Sequence, residues 1–363
     1  MSIINNFIAR VKGESVTLGI DVGHYSVKMA LIHHRLKLHK VLAINETQLN
    51  DGVIINGSIH NPEELKNVLT GMIESLPAHV LEYDVAIGLS WSSGVLADCI
   101  NLKKHDKGSE EQLILFEAGS RPPFDEQNIT LDYKVINRDD DRNELEVLLV
   151  AAKNQTLSTI AEFFKEINIS PFVLDVDVFA LLNAVGRVIE SRDKEPEVLA
   201  ILMIGEQRGN ITFLKEGRYH STREISTASV ISIMKTICRK VSLTVDEVKQ
   251  IVFDGMPTEH SDEINNALGQ AIRELGGSIE SAAKYFHSLE PGFVIEEVIL
   301  AGGGALIPGI DQICADRLGV TASILDSFDG IKIDSNLAQG EYMLKPSDRV
   351  RFAVALGLAM RKP

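Results

Sequence analysis

The stretch "LGIDVGHYSVKMALI", Leu18 to Ile32, decides the fold. Around it, "SVTLGIDVG" and "SVKMALIHH" are β-branched or apolar runs separated by a glycine-containing turn, the pattern of a β-hairpin. Asp21 stands near the end of the first run, Gly23 in the turn and Lys28 on the return. Gly23 lets backbone approach closely, and the N–H groups of such a turn can form an anion nest. Asp21 could then hold Mg²⁺, through waters because that ion dehydrates reluctantly, and Lys28 could meet phosphate as a point charge. The same residues also read as an aspartate bonded to its own turn beside a solvated lysine. The pattern alone does not choose between these.

Working outward, the design recurs. "VLAILMIGEQRGNITFLKEGRYHSTREI", Val198 to Ile225, is again strand, tight turn, strand, turn, strand. Openings at 16–32 and 198–214, each with helices behind, predict a duplicated α/β unit: two lobes with a cleft between them. "HKVLAINETQL" predicts a third strand, followed by a turn at Asp51-Gly52. "NPEELKNVLTGMIESL" begins with an asparagine cap, Pro62 at the first helical position and acids in the first turn, so it predicts an amphipathic helix. A β–α–β–β–α run over 81–170 predicts a compact unit of its own. "FVLDVDVFALLNAVGRVIES" reads as a strand entering a helix, "SRDKEPE" as a linker, and 226–288 as mainly helical. The first twelve residues carry an apolar stripe at helical spacing, read as a short capping or frayed helix rather than one lying on a membrane.

Two further places could carry chemistry. "VILAGGGALIPGI", Val298 to Ile310, ends an apolar strand in Gly302, Gly303 and Gly304. Without Cβ atoms such a loop admits a flat base or ribose, with a helix start nearby. A crossover packed too closely for side chains would need only one glycine. Asp175 and Asp177 alternate and are expected on one strand face, where paired carboxylates could orient a water. For Asp177, capping of the following helix is an equal reading. The histidines, including His33 and His34, suggest no site, because neighbours on a strand face opposite ways.

Composition narrows the class. The 363 residues carry a net charge of −15, from 36 basic and 51 acidic side chains, which argues against a nucleic-acid partner. Cys99, Cys238 and Cys314 are isolated, as expected of reduced thiols in the cytosol. No apolar run approaches the roughly 20 residues of a membrane span, and no signal peptide is evident.

Together these residues resemble the actin-like ATPase superfamily and, within it, the PilM family of type IV pilus assembly, relatives of the cell-division protein FtsA. "LGIDVGHYSVKMALI", "FEAGSRPPFDEQNITLDYKVI", "VLDVDVFALLNA" and "LAGGGALIPGI" match that family's motifs in order, across nearly the whole chain. The resemblance implies lobe 1A at 1–80, 171–196 and 336–363, and an inserted subdomain 1C at 81–170. It implies lobe 2A at 197–225 and 289–335, and subdomain 2B at 226–288. It further implies ATP with Mg²⁺ between Asp21, Gly23 and Lys28 on one side and Gly302 to Gly304 on the other, with Asp21 at the metal. A groove beside 1A and 1C would take the cytosolic N-terminal tail of a PilN-like single-span inner-membrane protein. Leu113, Phe116 and Phe124 are candidate contacts there, or plain core. The resemblance leaves room for weak self-association.

The departures are specific. "MIGEQRGNI" places Met203 where the family has aspartate, and Arg208-Gly209 at its hydroxyl positions. A thioether is a soft ligand that cannot help hold Mg²⁺. His24 and Tyr25 replace two serines, and "GGSIESAAKYF" offers Ser278, Glu280 and Ser281 near the nucleoside. Arg208 would neutralise a phosphate or pair with Asp21 in an empty cleft. The expectation is weak or absent ATP binding in a cytoplasmic scaffold at the inner membrane. An active ATPase and an FtsA-like membrane-associated polymer protein are the alternatives.

Overall fold

The computed structural model describes residues 14–36, 38–77, 82–103, 109–121, 127–190, 195–255, 260–335, 337 and 344–363. The expected N-terminal helix and Phe124 lie outside them. The opening stretch forms β1 (Glu14–Val22) and β2 (Ser26–Arg35), antiparallel, with β3 (Leu38–Gln48) beside β2. A short hairpin, β4 (Ile54–Ile55) and β5 (Ser58–Ile59), leads into α1 (Pro62–Glu74), whose Asn61 cap accepts from the Glu64 N–H. Strand β6 (Asp84–Leu89) runs parallel to β1.

The inserted sheet comprises β7 (Leu96–Lys103), β8 (Ile129–Asp139) and β9 (Glu144–Lys153), with β9 central. Helix α2 (Glu110–Ala118), held by a Ser109/Gln112 capping box, covers it. Their common core is Ile100, Leu102, Ile114, Leu145, Val147 and Leu149. Helix α3 (Asn154–Glu166) instead sends Phe163 and Phe164 into the first lobe, against Leu65, Leu69 and Met72 of α1. So β6 and α3, expected within 81–170, belong to the first lobe by pairing and packing. "YDVAIGLSWSSGVLADCINL" is two strands of different sheets, parted at a turn where Gly94 has φ +90°. Composition cannot reveal such a change of partner.

Strand β10 (Val173–Val176) pairs parallel with β6 and leads into α4 (Asp177–Glu190). The second lobe repeats the plan with β11 (Val198–Ile204), β12 (Gly209–Lys215) and β13 (Arg218–Glu224), antiparallel. Its helices are α5 (Val230–Cys238), α6 (Val245–Asp254) and α7 (Ser261–Leu289). Strand β14 (Glu297–Ala301), helix α8 (Ile310–Leu318) and β15 (Thr321–Ile324) complete it. The sheet orders are β10-β6-β1-β2-β3 and β15-β14-β11-β12-β13, the same arrangement twice, so the duplication expected from the hairpins is present. A two-residue strand, β16 (Lys332–Ile333), extends the first sheet beside β3, whereas 289–335 was expected wholly in the second lobe.

The chain closes with α9 (Asp348–Arg351) and α10 (Ala353–Ala359). Helix α10 lies between β1 and α4, and glycine makes both approaches possible. A Cβ on Gly19 would fall 2.2 Å from the Ala355 carbonyl oxygen, and one on Gly357 would fall 1.8 Å from that of Ala180. His34, fully buried on β2, fastens the same helix: its Nε2–H donates to the Ala359 carbonyl at 2.9 Å. Neutral His34 must then accept at Nδ1 from the His39 Nδ1–H, at 2.7 Å. One apolar core, including Leu89, Leu181, Ile201, Ile299 and Leu358, is continuous across both sheets and joins the lobes at their base. Among the described residues no helix is long and apolar enough to cross a membrane.

The crossing gives a direct test. Gly357→Ala forces α10 away from α4, an overpacking defect expected to cost about 3 kcal/mol and to lower Tm by about 4 °C, read by circular dichroism.

Candidate functional site

The hairpin turns face one another across a cleft. In the first, the Gly23 N–H donates to the Ser26 carbonyl at 3.1 Å; in the second, Gly205 does the same to Arg208 at 3.0 Å. Strand register makes the two directly comparable. Asp21 lies opposite Lys28 in the first hairpin, and Met203 lies opposite Asn210 in the second. The acid–lysine pair of one lobe is therefore a thioether–carboxamide pair in the other.

Asp21, Gly23, Lys28, Asp177, Gly302 and Gly303 line this cleft, whereas Asp175 and Gly304 do not. The glycine loop divides by cause. A Cβ on Gly304 would sit 2.2 Å from the Ile204 side chain, and one on Gly302, at φ +82°, 2.5 Å from the Ile204 carbonyl oxygen. Those two glycines are required by packing on β11. A Cβ on Gly303 would meet nothing within 4 Å, so that position alone leaves an opening a side chain could fill.

Asp175 and Asp177 do not share a face, because the strand ends at Val176 and Asp177 is already helical. Asp175 is buried in an ion pair with Arg361 Nε at 2.6 Å, so it is no catalytic candidate. Asp177 accepts at Oδ1 from the N–H groups of Trp91 (3.0 Å) and Val178 (2.7 Å), tying α4 to the turn after β6. Burial pushes its carboxyl up to about 7; these two N–H groups pull it back, and the charge on Asp21 adds to the rise. Burial also raises Asp21, with Lys28 opposing and Glu46 reinforcing.

The cations that border the cleft are paired with protein acids. Lys28 Nζ donates to Ser26 Oγ at 2.7 Å and lies 3.5 Å from Glu46, which also takes Ser26 Oγ and Arg351. Arg208 pairs with Glu224 rather than with Asp21, and donates to Asn56 Oδ1 at 2.8 Å. Lys249 pairs with Glu206 and sits 5.3 Å above the Tyr25 ring. Burial and the nearby Arg208 lower the His24 pKa, in keeping with Nε2 accepting from the Gly57 N–H at 3.2 Å. Of the functional side chains missed in the sequence, Glu46 was recoverable, since it faces Lys28 across β2 and β3. Arg351, Asn56 and Lys249 left no local signal.

On the nucleoside side, Ser278 bonds to Thr227, Ser281 to the Gly277 carbonyl, and Glu280 pairs with Lys284 and Arg317; none lines the cleft. Asn210 Oδ1 is buried beside Met203 without a hydrogen-bond partner among the described residues. Tested against a metal–nucleotide, the opening at Gly303 fits a flat group. The phosphate side does not fit, because Met203 offers no hard ligand and the bordering cations already face protein carboxylates. In the inserted unit, Leu113 is half-buried against the core, while Phe116 is 72% exposed.

Asp177 provides a pH test. Burial pushes its carboxyl from the ordinary value of 3.8 up to about 7, so through that window the native chain holds a proton the unfolded chain releases. Its contribution to stability therefore falls as pH rises from 4 to 7 and stays low above. Asp177→Asn keeps Oδ1 for Trp91 and is expected to melt above the wild type at about pH 8, with the gap closing toward pH 4. A gap independent of pH would place the carboxyl in its ordinary range.

The chain is similar in structure to the protein in the PilM–PilN type IV pilus biogenesis complex, with a TM-score of 0.77 at 22% identity over 96% of this chain and 99% of that one. It is also similar to the ethanolamine utilization protein EutJ from Carboxydothermus hydrogenoformans, with a TM-score of 0.52 at 11% identity over 94% and 89% of the two chains. At such identities the likeness is one of fold: the two α/β lobes expected from the paired hairpins, in the actin-like architecture that the family resemblance implies. A family model described as type IV pilus assembly protein PilM matches residues 19–363, from β1 to the last residue, and the chain belongs to that family.

Proposed function

We propose that this protein is a cytoplasmic scaffold of a type IV pilus or related secretion machine, whose nucleotide cleft no longer works as an ATPase site. Its partner is the cytosolic N-terminal tail of a PilN-like inner-membrane protein, seated in a groove between the first lobe and the inserted subdomain. The observation that carries the reading is the charge pairing in the cleft: Lys28 and Arg351 on Glu46, Arg208 on Glu224, Lys249 on Glu206. A polyphosphate would have to displace these acids, and Met203 leaves the second hairpin without a carboxylate to share a metal. Peptide capture needs main-chain bonds and a few side-chain pockets, none of which depends on the cleft. The complex formed by the structurally similar protein is with PilN, which supports the choice of partner. Phe116, exposed on α2, is the proposed anchor, with Leu113 behind it and Phe124 nearby in sequence.

The competing reading is an active Mg-ATPase, favoured by Asp21 and Asp177 lining one cleft and by the opening at Gly303. A ligand that binds the native state tightly must raise Tm. Millimolar Mg-ATP is expected to shift Tm by less than about 1 °C; a rise of several degrees would sink the degenerate-cleft reading.

Calorimetry with a synthetic N-terminal peptide of the PilN-type protein tests the scaffold. Binding is expected with equal affinity in the presence and absence of Mg-ATP, and about tenfold weaker in Phe116→Ala, the loss typical of an interface anchor. Binding only with Mg-ATP would restore the ATPase, and none in either condition would remove the proposed partner.

A further inference from the structure

We propose that Arg208 is the specificity-determining residue of the cleft: held between Glu224 and Asn56, it clasps the two lobes without a ligand and withholds its charge from an anionic one. This rests on the reading that the cleft is not a working nucleotide site. Nη1 of Arg208 pairs with Glu224 on its own sheet, and Nη2 donates across the cleft to Asn56 Oδ1 at 2.8 Å. One guanidinium thus satisfies an acid in the second lobe and an amide in the first. Its planar fork makes two such bonds at a smaller entropic cost than a lysine would.

Both ends of the clasp stand on fixed backbone. Next to Arg208, a Cβ on Gly209 would fall 1.9 Å from the Ala228 carbonyl oxygen, so β12 is pressed against the segment before α5. Asn56 occupies the left-handed region at φ +49°, in the Asn-Gly turn that joins β4 and β5. That hairpin is itself anchored, since Gly57 donates to His24 and a Cβ on it would meet Ser90 at 2.8 Å. Lys249, on α6 of the second lobe, stands over Tyr25 of the first hairpin as a second crossing of the same mouth. At the base the lobes already share an apolar core. Joined at base and mouth by its own side chains, the molecule holds the closed arrangement that a bridging ligand would otherwise stabilise.

Two measurements on the full chain test this. Hydrogen exchange compares wild type, Arg208→Ala, Asn56→Ala and the double variant. Each single change is expected to speed exchange at 54–59 and 205–209 by about fivefold or more, and the double no more than Arg208→Ala alone, because that change already removes the contact Asn56 makes. Unchanged or additive exchange overturns the clasp. Calorimetry with inorganic tripolyphosphate compares wild type with Glu224→Gln, which frees the guanidinium from its acid. Affinity is expected to rise at least about fivefold in Glu224→Gln and to return to the wild-type level when Arg208→Ala is added; no rise overturns the withheld charge. Wild-type binding of Mg-ATP would refute the degenerate cleft, whereas these outcomes are differences between variants and judge Arg208 separately.

Discussion

The architecture depends on how closely α10 approaches β1 and α4. Helices normally pack 8–10 Å apart, a spacing set by their side chains. Here Gly19 and Gly357 remove the side chains at both contacts, so the backbone of α10 rests on its neighbours. Because that helix is wedged between sheet and helix, the start of α4 is fixed relative to the end of β1. Asp177 and Asp21 consequently open into the same cleft. The chain end is then fastened by Arg361 on Asp175 and by its carbonyl on Thr17. A carboxylate that looks catalytic from sequence serves that fastening instead.

The cleft shows what becomes of a charged site when its charges are settled internally. Placing a cation in a narrow pocket costs solvation, which an anionic ligand would normally restore. In this chain Glu46 and Glu206 restore it from within, and Glu224 meets Arg208 at the exposed rim. The pairing is lopsided. Asp21 and Asp177 are raised by burial, which Lys28 only partly offsets at Asp21, so the acids that could face a metal stay poorly compensated while the bases that could face phosphate are paired with glutamates. On the proposed reading such a pocket disfavours a polyanion, and the fold does not depend on it because the sheets are held by their apolar cores.

Much of the fold was legible because it is local and repeated. Both hairpins, the Asn61 cap and the glycine loop announce themselves within a dozen residues. What stayed hidden is what depends on partners distant in sequence. Nothing in "YDVAIGLSWSSGVLADCINL" says that its halves join different sheets, or in "LDVDVF" that Asp175 finds Arg361, 186 residues on. The three glycines looked like one cradle. In space two of them answer to the bulk of Ile204, and only Gly303 faces open space. For Arg208 the sequence leaves two partners open, a phosphate or Asp21, and the acid it meets is Glu224 of its own sheet.

The two hairpins, compared position by position, show strands that do not depend on the residues at their turns. Asp21 and Lys28 in the first answer to Met203 and Asn210 in the second, with identical strand order around them. Neither strand is stabilised by its turn's charges: β1 and β11 are buried through Leu18, Ile20, Leu199 and Ile201, whatever sits at their ends. A substitution such as methionine for an acid at the strand end is therefore met by the cleft alone. The inserted subdomain has its own sheet and core, and it rests on Tyr219 of β13 through Cys99. A groove along that unit would be carried by packing that the cleft never touches, so partner binding and nucleotide chemistry can be lost or kept independently in this architecture.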